Sequence, residues 1–437
     1  MRYESLDSDV TTEDRRVDAA VQRSREIGAR ALEIDRGADP LHGSDLVQAI
    51  AAYHKAAEVE LRDKTVALYK RATDMFLEWA RAHGIKSTRD LKAARLPGFR
   101  DYLLAQRKKA YVRGGKRGQR KAGNEKLSPQ TINWQLRAVK TALNHLRSRG
   151  MVPLTSDDIA DRLKPVEVPQ DDPEFLRPQE CVALLEAALR HDAETFAETR
   201  SEHRGIGTAG TTPKYDPIAP LVATVLLGGF RIGEALAVRW SAVDLAVLDS
   251  EGKPKGEIRL KASETKTKRA RTVELGVSPS LRILLATMKL RAGDAQFVFG
   301  GDGPMPRSSA EAARRRLVGE VPKKARKIEP KKNRKQTPAV DFGAPRNFTW
   351  QALRSTCATY QCNAPSIFGD AAAFRSAKRL GHSITVSEKL YANQFSVSHA
   401  ARTLEQAMGI EAIMARVIES ASGYRVPAPP LRAVAAE

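Results

Sequence analysis

The sequence predicts a mainly α-helical protein with a small β-hairpin or sheet, divided into two domains. Three observations support this fold class. Apolar residues recur at helical spacing on both sides of a segment, 151–172, that is rich in proline and aspartate. The stretch 257–275 instead alternates in the manner of strand, turn and strand. We therefore expect a helical domain at 44–150, a linker at 151–172 and an α+β domain at 173–420.

Local signals define the helices of the first domain. The segment 62–83 carries an apolar face at helical spacing, and Gly84 follows as a stop. A second helix is predicted at Leu96–Lys109. A third opens with Ser128 as its N-cap and Pro129 at its first helical position.

The second domain mixes helices with short strands. Residues 218–240 have the pattern of buried helix on either side of Gly228–Gly229, and the turn of the hairpin is expected near Thr267–Lys268. The remaining predicted elements are a strand at Gln296–Gly301, a helix at Ser308–Leu317 and mostly helix from Phe348 to about residue 420. We assign no role to an N-terminal arm at 1–43, and the Ala/Pro tail at 421–437 is predicted to be disordered.

Composition excludes several classes of protein. The three cysteines show no CxxC spacing, which argues against a disulfide scaffold or a structural zinc site and fits a reducing cytoplasm. The acidic start does not resemble a signal peptide. The longest apolar run, Ile218–Phe230, is 13 residues long, too short to span a bilayer. Secreted and membrane-spanning classes are therefore not expected.

The net charge of +21 is concentrated in three basic segments, 106–126, 253–271 and 323–335, and the rest of the chain is neutral in aggregate. Solvated loops that keep a protein soluble can have this composition. Three separate runs with little acid between them instead favour a polyanion partner, such as a phosphate backbone.

Several charged and aromatic residues stand out in the second domain. A buried run is broken by Arg231-Ile-Gly-Glu234, and a second arginine, Arg354, lies in a moderately apolar helix. Further on come Leu-Gly-His382-Ser and then Tyr391, and Lys266 lies by the turn of the predicted hairpin. Each residue alone is more often structural; Arg231 and Glu234, for instance, could simply form an ion pair.

Together and in this order, these residues resemble the tyrosine recombinase (phage integrase) family. Arg231 and Glu234 match its R-x-x-E box, Arg354 the arginine of its H-x-x-R box, and Leu-Gly-His382-Ser and Tyr391 its closing motifs. The resemblance covers about 45–420. It implies a helical core-binding domain followed by the catalytic domain of this family.

The resemblance implies site-specific cutting and rejoining of duplex DNA through a 3′-phosphotyrosine, in the service of a mobile element. Tyr391 would attack, and Arg231 and Arg354 would clamp the non-bridging phosphate oxygens. Lys266 would protonate the leaving 5′-oxygen, while His382 would hydrogen-bond the phosphate. Glu234 would orient Arg231. This chemistry needs no metal and no cofactor.

One position departs from the family pattern. Gln351 stands where the H-x-x-R box has histidine. Glutamine can donate a hydrogen bond but cannot shuttle a proton, so reduced activity is expected. Two assignments have rivals: Lys268 competes with Lys266 as the acid, and Tyr360 competes with Tyr391, although its place in the helix after Arg354 favours a core position.

The implied partners are duplex DNA, further copies of the chain in dimers or tetramers on DNA, and accessory or directionality proteins. An amphipathic helix after Tyr391 could pack on a neighbouring protomer or within its own domain. Candidate DNA contacts are Arg107, Lys108, Lys109, Arg113, Lys116, Arg117, Lys268, Arg269, Lys323, Lys324, Lys331 and Lys332.

Three other functions fit parts of the sequence. A catalytically impaired DNA-binding accessory protein of the same fold is compatible with Gln351. A general RNA- or polyanion-binding protein accounts for the basic segments but not for the ordered series of site residues. A type IB topoisomerase shares the chemistry, although Leu-Gly-His382-Ser is closer to the recombinase pattern.

Overall fold

The computed structural model describes residues 17–18, 20–22, 24–25, 44–111, 120–169, 172–197, 216–265, 268–320, 342–392 and 394–422. The chain divides into two compact units, Met1–Gln170 and Asp171–Glu437. Helices dominate both units, and each described unit contains one small antiparallel sheet. The mainly α fold class with small sheets is thus confirmed. Most of the predicted arm at 1–43 and of the tail at 421–437 lies outside the described residues.

Five α-helices with described bounds and a two-stranded ribbon lie among the described residues of the first unit. These are α1 (Leu46–Glu60), α2 (Asp63–Ala82), α3 (Leu96–Ala105), β1 (Arg107–Tyr111), β2 (Arg120–Lys126), α4 (Pro129–Ser148) and α5 (Ser156–Arg162). As predicted, Ser128 caps α4, its Oγ accepting a hydrogen bond from the Thr131 backbone N–H at 3.3 Å. The core centres on Phe76 and Phe99, whose rings meet edge to face with centroids 5.1 Å apart.

Two predictions for this unit were wrong. The helix expected at Leu96–Lys109 ends at Ala105, and the first basic run instead begins with the antiparallel pair β1–β2. Consecutive basic side chains carry no apolar face that could hold another helical turn on the core. The predicted linker also folds in part: helix α5 lies within it, closed by a Thr155–Asp158 capping box, and its Ile159 is buried in the first core.

The second unit contains the remaining helices and a three-stranded antiparallel sheet in the order β3-β4-β5. Its elements are α6 (Pro178–Ala197), α7 (Ala219–Gly228), α8 (Ile232–Ala237), β3 (Val243–Asp244), β4 (Glu257–Leu260), β5 (Arg271–Glu274), α9 (Pro279–Lys289), α10 (Arg307–Leu317), α11 (Trp350–Cys362), α12 (Pro365–Phe368), α13 (Ala372–Leu380), α14 (Ile384–Leu390), α15 (Leu404–Ala407) and α16 (Glu411–Ser422).

Helix α7 is the centre of this unit. All ten of its residues are buried, which explains why its sequence is apolar on every side. The predicted hairpin is present as β4–β5, with Ile258 opposite Val273. The strand predicted at Gln296–Gly301 is absent from the described structure, where Phe297 and Gly300 form only isolated bridges.

The terminal helix α16 packs within its own unit, against α6, α7 and α9. Its Ile413, Met414 and Val417 side chains are buried there. Of the two placements left open by the sequence, the single chain adopts this one. In the described part of the chain, no helix is both long and apolar enough to cross a bilayer.

Candidate active site

The buried helix α7 ends where the first motif begins. Gly228 closes the helix, and Gly229 takes a left-handed conformation with φ of 64°. A Cβ atom on Gly229 would lie 2.1 Å from Leu380 Cδ2 and 3.0 Å from Cys357 Sγ. Only glycine therefore allows the end of α7 to contact both α11 and α13 this closely.

Arg231 and Glu234 form the first pair of the site. Arg231 precedes helix α8, and its backbone N–H donates to Glu234 Oε2 at 3.0 Å. Its Nη1 donates to Glu234 Oε1, also at 3.0 Å. The Glu234 side chain is 3% exposed and that of Arg231 27% exposed, so the arginine keeps an open side while the carboxylate is enclosed.

A third arginine, Arg271, completes this cluster, and the sequence analysis did not assign it a role. It lies on β5 and donates two hydrogen bonds to Glu234, from Nη2 to Oε2 at 2.7 Å and from Nη1 to Oε1 at 3.2 Å. Arg271 and Val273 both lie on the buried face of this strand, and the residues that follow each of them are exposed. A charge on the inward face of a half-buried strand was the signal in the sequence that could have found it.

Glu234 thus bridges two arginines. Burial acts to raise the pKa of its carboxyl, but the hydrogen bonds and charge of Arg271, and then those of Arg231, outweigh burial and lower the pKa to about 2. The carboxylate is ionised at any physiological pH, and it fixes both guanidinium groups in place.

Arg354 is held by backbone carbonyls. It lies on α11, 4% exposed, where Nη1 donates to Gly229 O and Nη2 to Leu380 O, each at 2.7 Å. Burial, followed by the charges of Arg231 and Arg271, lowers the pKa of Arg354 to about 10. The group stays charged at neutral pH. Among the described residues, these bonds use two of its five N–H donors, which leaves three for a ligand.

His382 follows the end of α13. Gly381, with φ of 71°, makes the turn, and a Cβ on it would lie 3.0 Å from Arg271 Cδ. His382 Nδ1 lies 3.2 Å from Ser383 O, which can only accept, and 3.5 Å from Ser387 Oγ. In the tautomer that donates from Nδ1 to the carbonyl, Nε2 is the acceptor of the neutral ring. Nε2 is buried without a partner among the described residues.

The pKa of His382 is lowered from its ordinary value. Burial is the main cause; the Ser383 carbonyl acts in the opposite direction, and the charges of Arg231, Arg271 and Arg354, the three site arginines, reinforce the lowering. The ring is consequently neutral at physiological pH.

Tyr391 lies beside His382, with the two ring centroids 5.7 Å apart. It follows helix α14 and is 7% exposed, packed in a small cluster with Cys357, Ala358 and Leu380. Asn363 Nδ2 donates to the Tyr391 carbonyl at 2.7 Å and fixes the backbone at this point. Its rival, Tyr360, is fully buried against Phe395 with ring centroids 4.7 Å apart, a core position as expected.

The structure says less about two of the predicted site residues, Gln351 and Lys266. Gln351 is exposed in the first turn of α11, three residues before Arg354. Lys266 lies outside the described residues. Beside it, buried Thr265 closes the turn of the hairpin, its Oγ1 accepting from Arg269 N at 3.1 Å and donating to Arg269 O at 2.9 Å. Lys268 has φ of 53° and is exposed, so its competition with Lys266 stays open.

The predicted DNA contacts are only partly described. Arg107 and Lys108 are exposed on β1, and Lys108 pairs with Glu125 at 2.7 Å. Lys109 belongs to the same strand, and Arg269 is exposed beside the hairpin turn. Outside the described residues lie Arg113, Lys116, Arg117, Lys323, Lys324, Lys331 and Lys332.

Solved structures of three integrases or recombinases are among those similar to this chain. A lambda integrase dimer bound to a COC′ core site is 14% identical, with 88% of this chain and 89% of that chain covered and a TM-score of 0.47. The Tn1549 transposon integrase in complex with a circular intermediate DNA is 16% identical, with 80% and 96% covered and a TM-score of 0.47. XerH site-specific recombinase bound to palindromic difH substrate is 15% identical, with 76% of each covered and a TM-score of 0.44.

No family model and no curated relative matches the sequence. Every one of these TM-scores lies below 0.5.

Proposed function

We propose that this protein is a site-specific DNA recombinase of the tyrosine recombinase class, which cuts and rejoins duplex DNA through a tyrosine. One observation carries the proposal. The ends of α7, α13 and α14, together with α11 and β5, bring three arginines, a neutral histidine and a tyrosine into one cluster. These residues are spread over about 160 positions of the sequence. A fold has no need to gather three buried or half-buried cations around one carboxylate, because such charges are costly without an anionic ligand.

The cluster fits a phosphodiester. One carboxylate neutralises only one of the three site arginines, so the site retains an excess of positive charge that a phosphate would balance. Planar guanidinium groups match the geometry of the non-bridging oxygens. Preorganised charge of this kind is commonly the largest catalytic contribution to such a reaction.

The reaction would proceed by attack of the Tyr391 hydroxyl oxygen on phosphorus. The new bond joins the phenolic oxygen to phosphorus, and the bond to the 5′-oxygen breaks. His382 Nε2, an acceptor beside the tyrosine ring, would take the phenolic proton, and a lysine of the hairpin, Lys266 or Lys268, would protonate the leaving 5′-oxygen. The energy of the broken bond is stored in the phosphotyrosine, so rejoining by the reverse steps needs no ATP.

This assignment of His382 extends the role expected from the sequence, where it was only to hydrogen-bond the phosphate. In the tautomer that donates from Nδ1 to Ser383 O, the neutral ring presents a lone pair rather than a hydrogen atom at Nε2. The absence of histidine at position 351 leaves His382 as the titratable side chain that contacts the tyrosine ring.

The experiment that tests the proposal is covalent trapping on nicked suicide duplexes, tiled across the DNA that flanks the coding sequence. The expected result is a protein–DNA adduct on a denaturing gel with the wild-type chain and none with Tyr391→Phe. Tyr360→Phe is the matched control, because it removes the same hydroxyl from a core tyrosine, and it should keep the adduct.

A DNA-binding accessory protein of impaired activity is the second candidate, and Gln351 favours it. Binding of one tiled duplex with no adduct from the wild-type chain would establish this candidate instead.

We further propose that the chain assembles into dimers or tetramers on DNA and serves a mobile element, with accessory proteins as partners. Light scattering of the chain with and without the bound duplex tests the assembly.

A further inference from the structure

We propose that Arg379, a buried arginine outside the reacting groups, is a positioning residue that fixes His382 relative to Arg231. The inference rests on the proposed function. Arg379 lies in the last turn of α13 and is 6% exposed. It is three residues before His382, and it touches none of the reacting groups described above.

Burial of this side chain is costly. Its Nη2 donates to Leu227 O at 3.1 Å, while Nε and Nη1 are buried without a partner among the described residues. These two nitrogens carry three of the five N–H groups of the guanidinium. Burial lowers the pKa of Arg379; Cys357, Glu274 and Glu405 act against this lowering, and the charge of Arg271 adds to it. For the fold alone, an apolar side chain would be the less costly occupant of this position.

The single hydrogen bond joins two elements of the active site. Leu227 lies in the last turn of α7, two residues before Gly229, whose carbonyl accepts from Arg354. Arg354 also binds the carbonyl of Leu380, the neighbour of Arg379. Hydrogen bonds from two arginines thus connect the end of α7 to the end of α13, where Gly229 contacts Leu380.

These hydrogen bonds set the distance between Arg231 and His382. Arg231 follows Gly229 by two residues, and His382 follows Leu380 by two residues. A small sliding of α13 on α7 would consequently change the distance between the phosphate-binding arginine and the histidine. Displacements of about 1 Å can cost on the order of 100-fold in rate. Without Arg379, Arg354 would have to hold both helix ends and bind the phosphate as well.

The test is the variant Arg379→Met, which keeps the length and apolar stem of the side chain and removes the unsatisfied donors. We expect its thermal unfolding midpoint to rise by a few degrees. We expect unchanged retardation of the duplex that the wild-type chain cleaves, and covalent trapping on it slowed by about 10- to 100-fold. Arg379→Lys, which keeps the charge and one donor, should recover part of the rate without the gain in midpoint. Arg375→Met makes the same chemical change on the exposed side of α13, and it should alter neither the unfolding midpoint nor the trapping rate.

A merely structural arginine would not give this combination, because its loss would lower the unfolding midpoint and the rate together. An Arg379→Met midpoint at or below that of wild type, or a trapping rate equal to wild type, would overturn the inference while leaving the proposed function in place. Failure of the wild-type chain to form any adduct would count against the proposed function itself.

Discussion

At the scale of single residues, Glu234 is the group on which the arrangement of the site depends most. Its pKa is held near 2, against about 4.5 for a carboxyl in the unfolded chain. A depressed carboxyl pKa contributes stability that is fully present above about pH 4.5 and is lost as the pH falls towards 2. The shift corresponds to about 3 kcal/mol.

We therefore expect Glu234→Gln to lower the free energy of unfolding by roughly 3 kcal/mol at pH 7, with the difference from wild type shrinking as the pH falls below 4.5. Denaturant unfolding at several pH values measures both the loss in unfolding free energy and its dependence on pH. Glu311→Gln removes a half-exposed carboxylate that pairs with Arg314 and should cost less than about 1 kcal/mol. A constant difference at all pH values would show that Glu234 is not held ionised by its two arginines.

Under the proposed mechanism, we expect the cleavage rate to depend on pH through His382. If its neutral ring accepts the proton of Tyr391, the rate of adduct formation should fall as the pH drops through its pKa, which burial places below the ordinary value. We expect a flat profile from pH 7 to 8 and a decline at more acidic pH. In the variant His382→Asn the rate should be lower and the decline absent. A wild-type rate that rises as the pH falls would instead show that the protonated ring is the active form.

Gln351 offers a test by gain of activity. Its side chain is exposed, so histidine can replace it without repacking of the core. A second proton-transferring group should speed adduct formation by up to about 10²-fold in Gln351→His. The single-turnover rate on the trapping duplex measures this, and no gain would mean that the site is built around glutamine.

At the scale of elements, the end of helix α7 determines whether the site can form. Gly229→Ala should destabilise the protein by roughly 2–5 kcal/mol and abolish adduct formation, because the added Cβ clashes with Leu380 at a left-handed residue. Gly233→Ala, in helix α8, meets no atom within 4 Å and should slightly raise stability. Equal unfolding midpoints for the two variants would contradict this account of the helix end.

The elements also show how far sequence reasoning reached. The start of α4 and the pair β4–β5 were predictable because they depend on capping and alternation, which are local. The β1–β2 ribbon was missed because its sequence is dominated by charge, which hides strand periodicity. Helix α5 was missed because Pro165 and the aspartates suggested a linker, whereas Asp158 actually serves as part of a cap.

At the scale of the whole molecule, the motifs predicted a set of site residues but not the contacts that hold them. Arg231, Glu234, Arg354, His382 and Tyr391 were found from their order along the chain. The bridge from Glu234 to Arg271 and the ties of Arg354 to Gly229 and Leu380 depend on long-range packing, which no local pattern encodes. Such contacts decide how the charges are oriented, and therefore what chemistry the site can perform.

The most direct test of the central claim is to identify the residue that carries the DNA. The trapped adduct would be digested with nuclease and protease, and the peptide that retains a nucleotide would be sequenced by tandem mass spectrometry. We predict a 3′-phosphate linked to the phenolic oxygen of Tyr391. Attachment to any other residue would contradict the account, since Tyr391 is the tyrosine that lies beside His382 and interacts with Arg354 in the described structure.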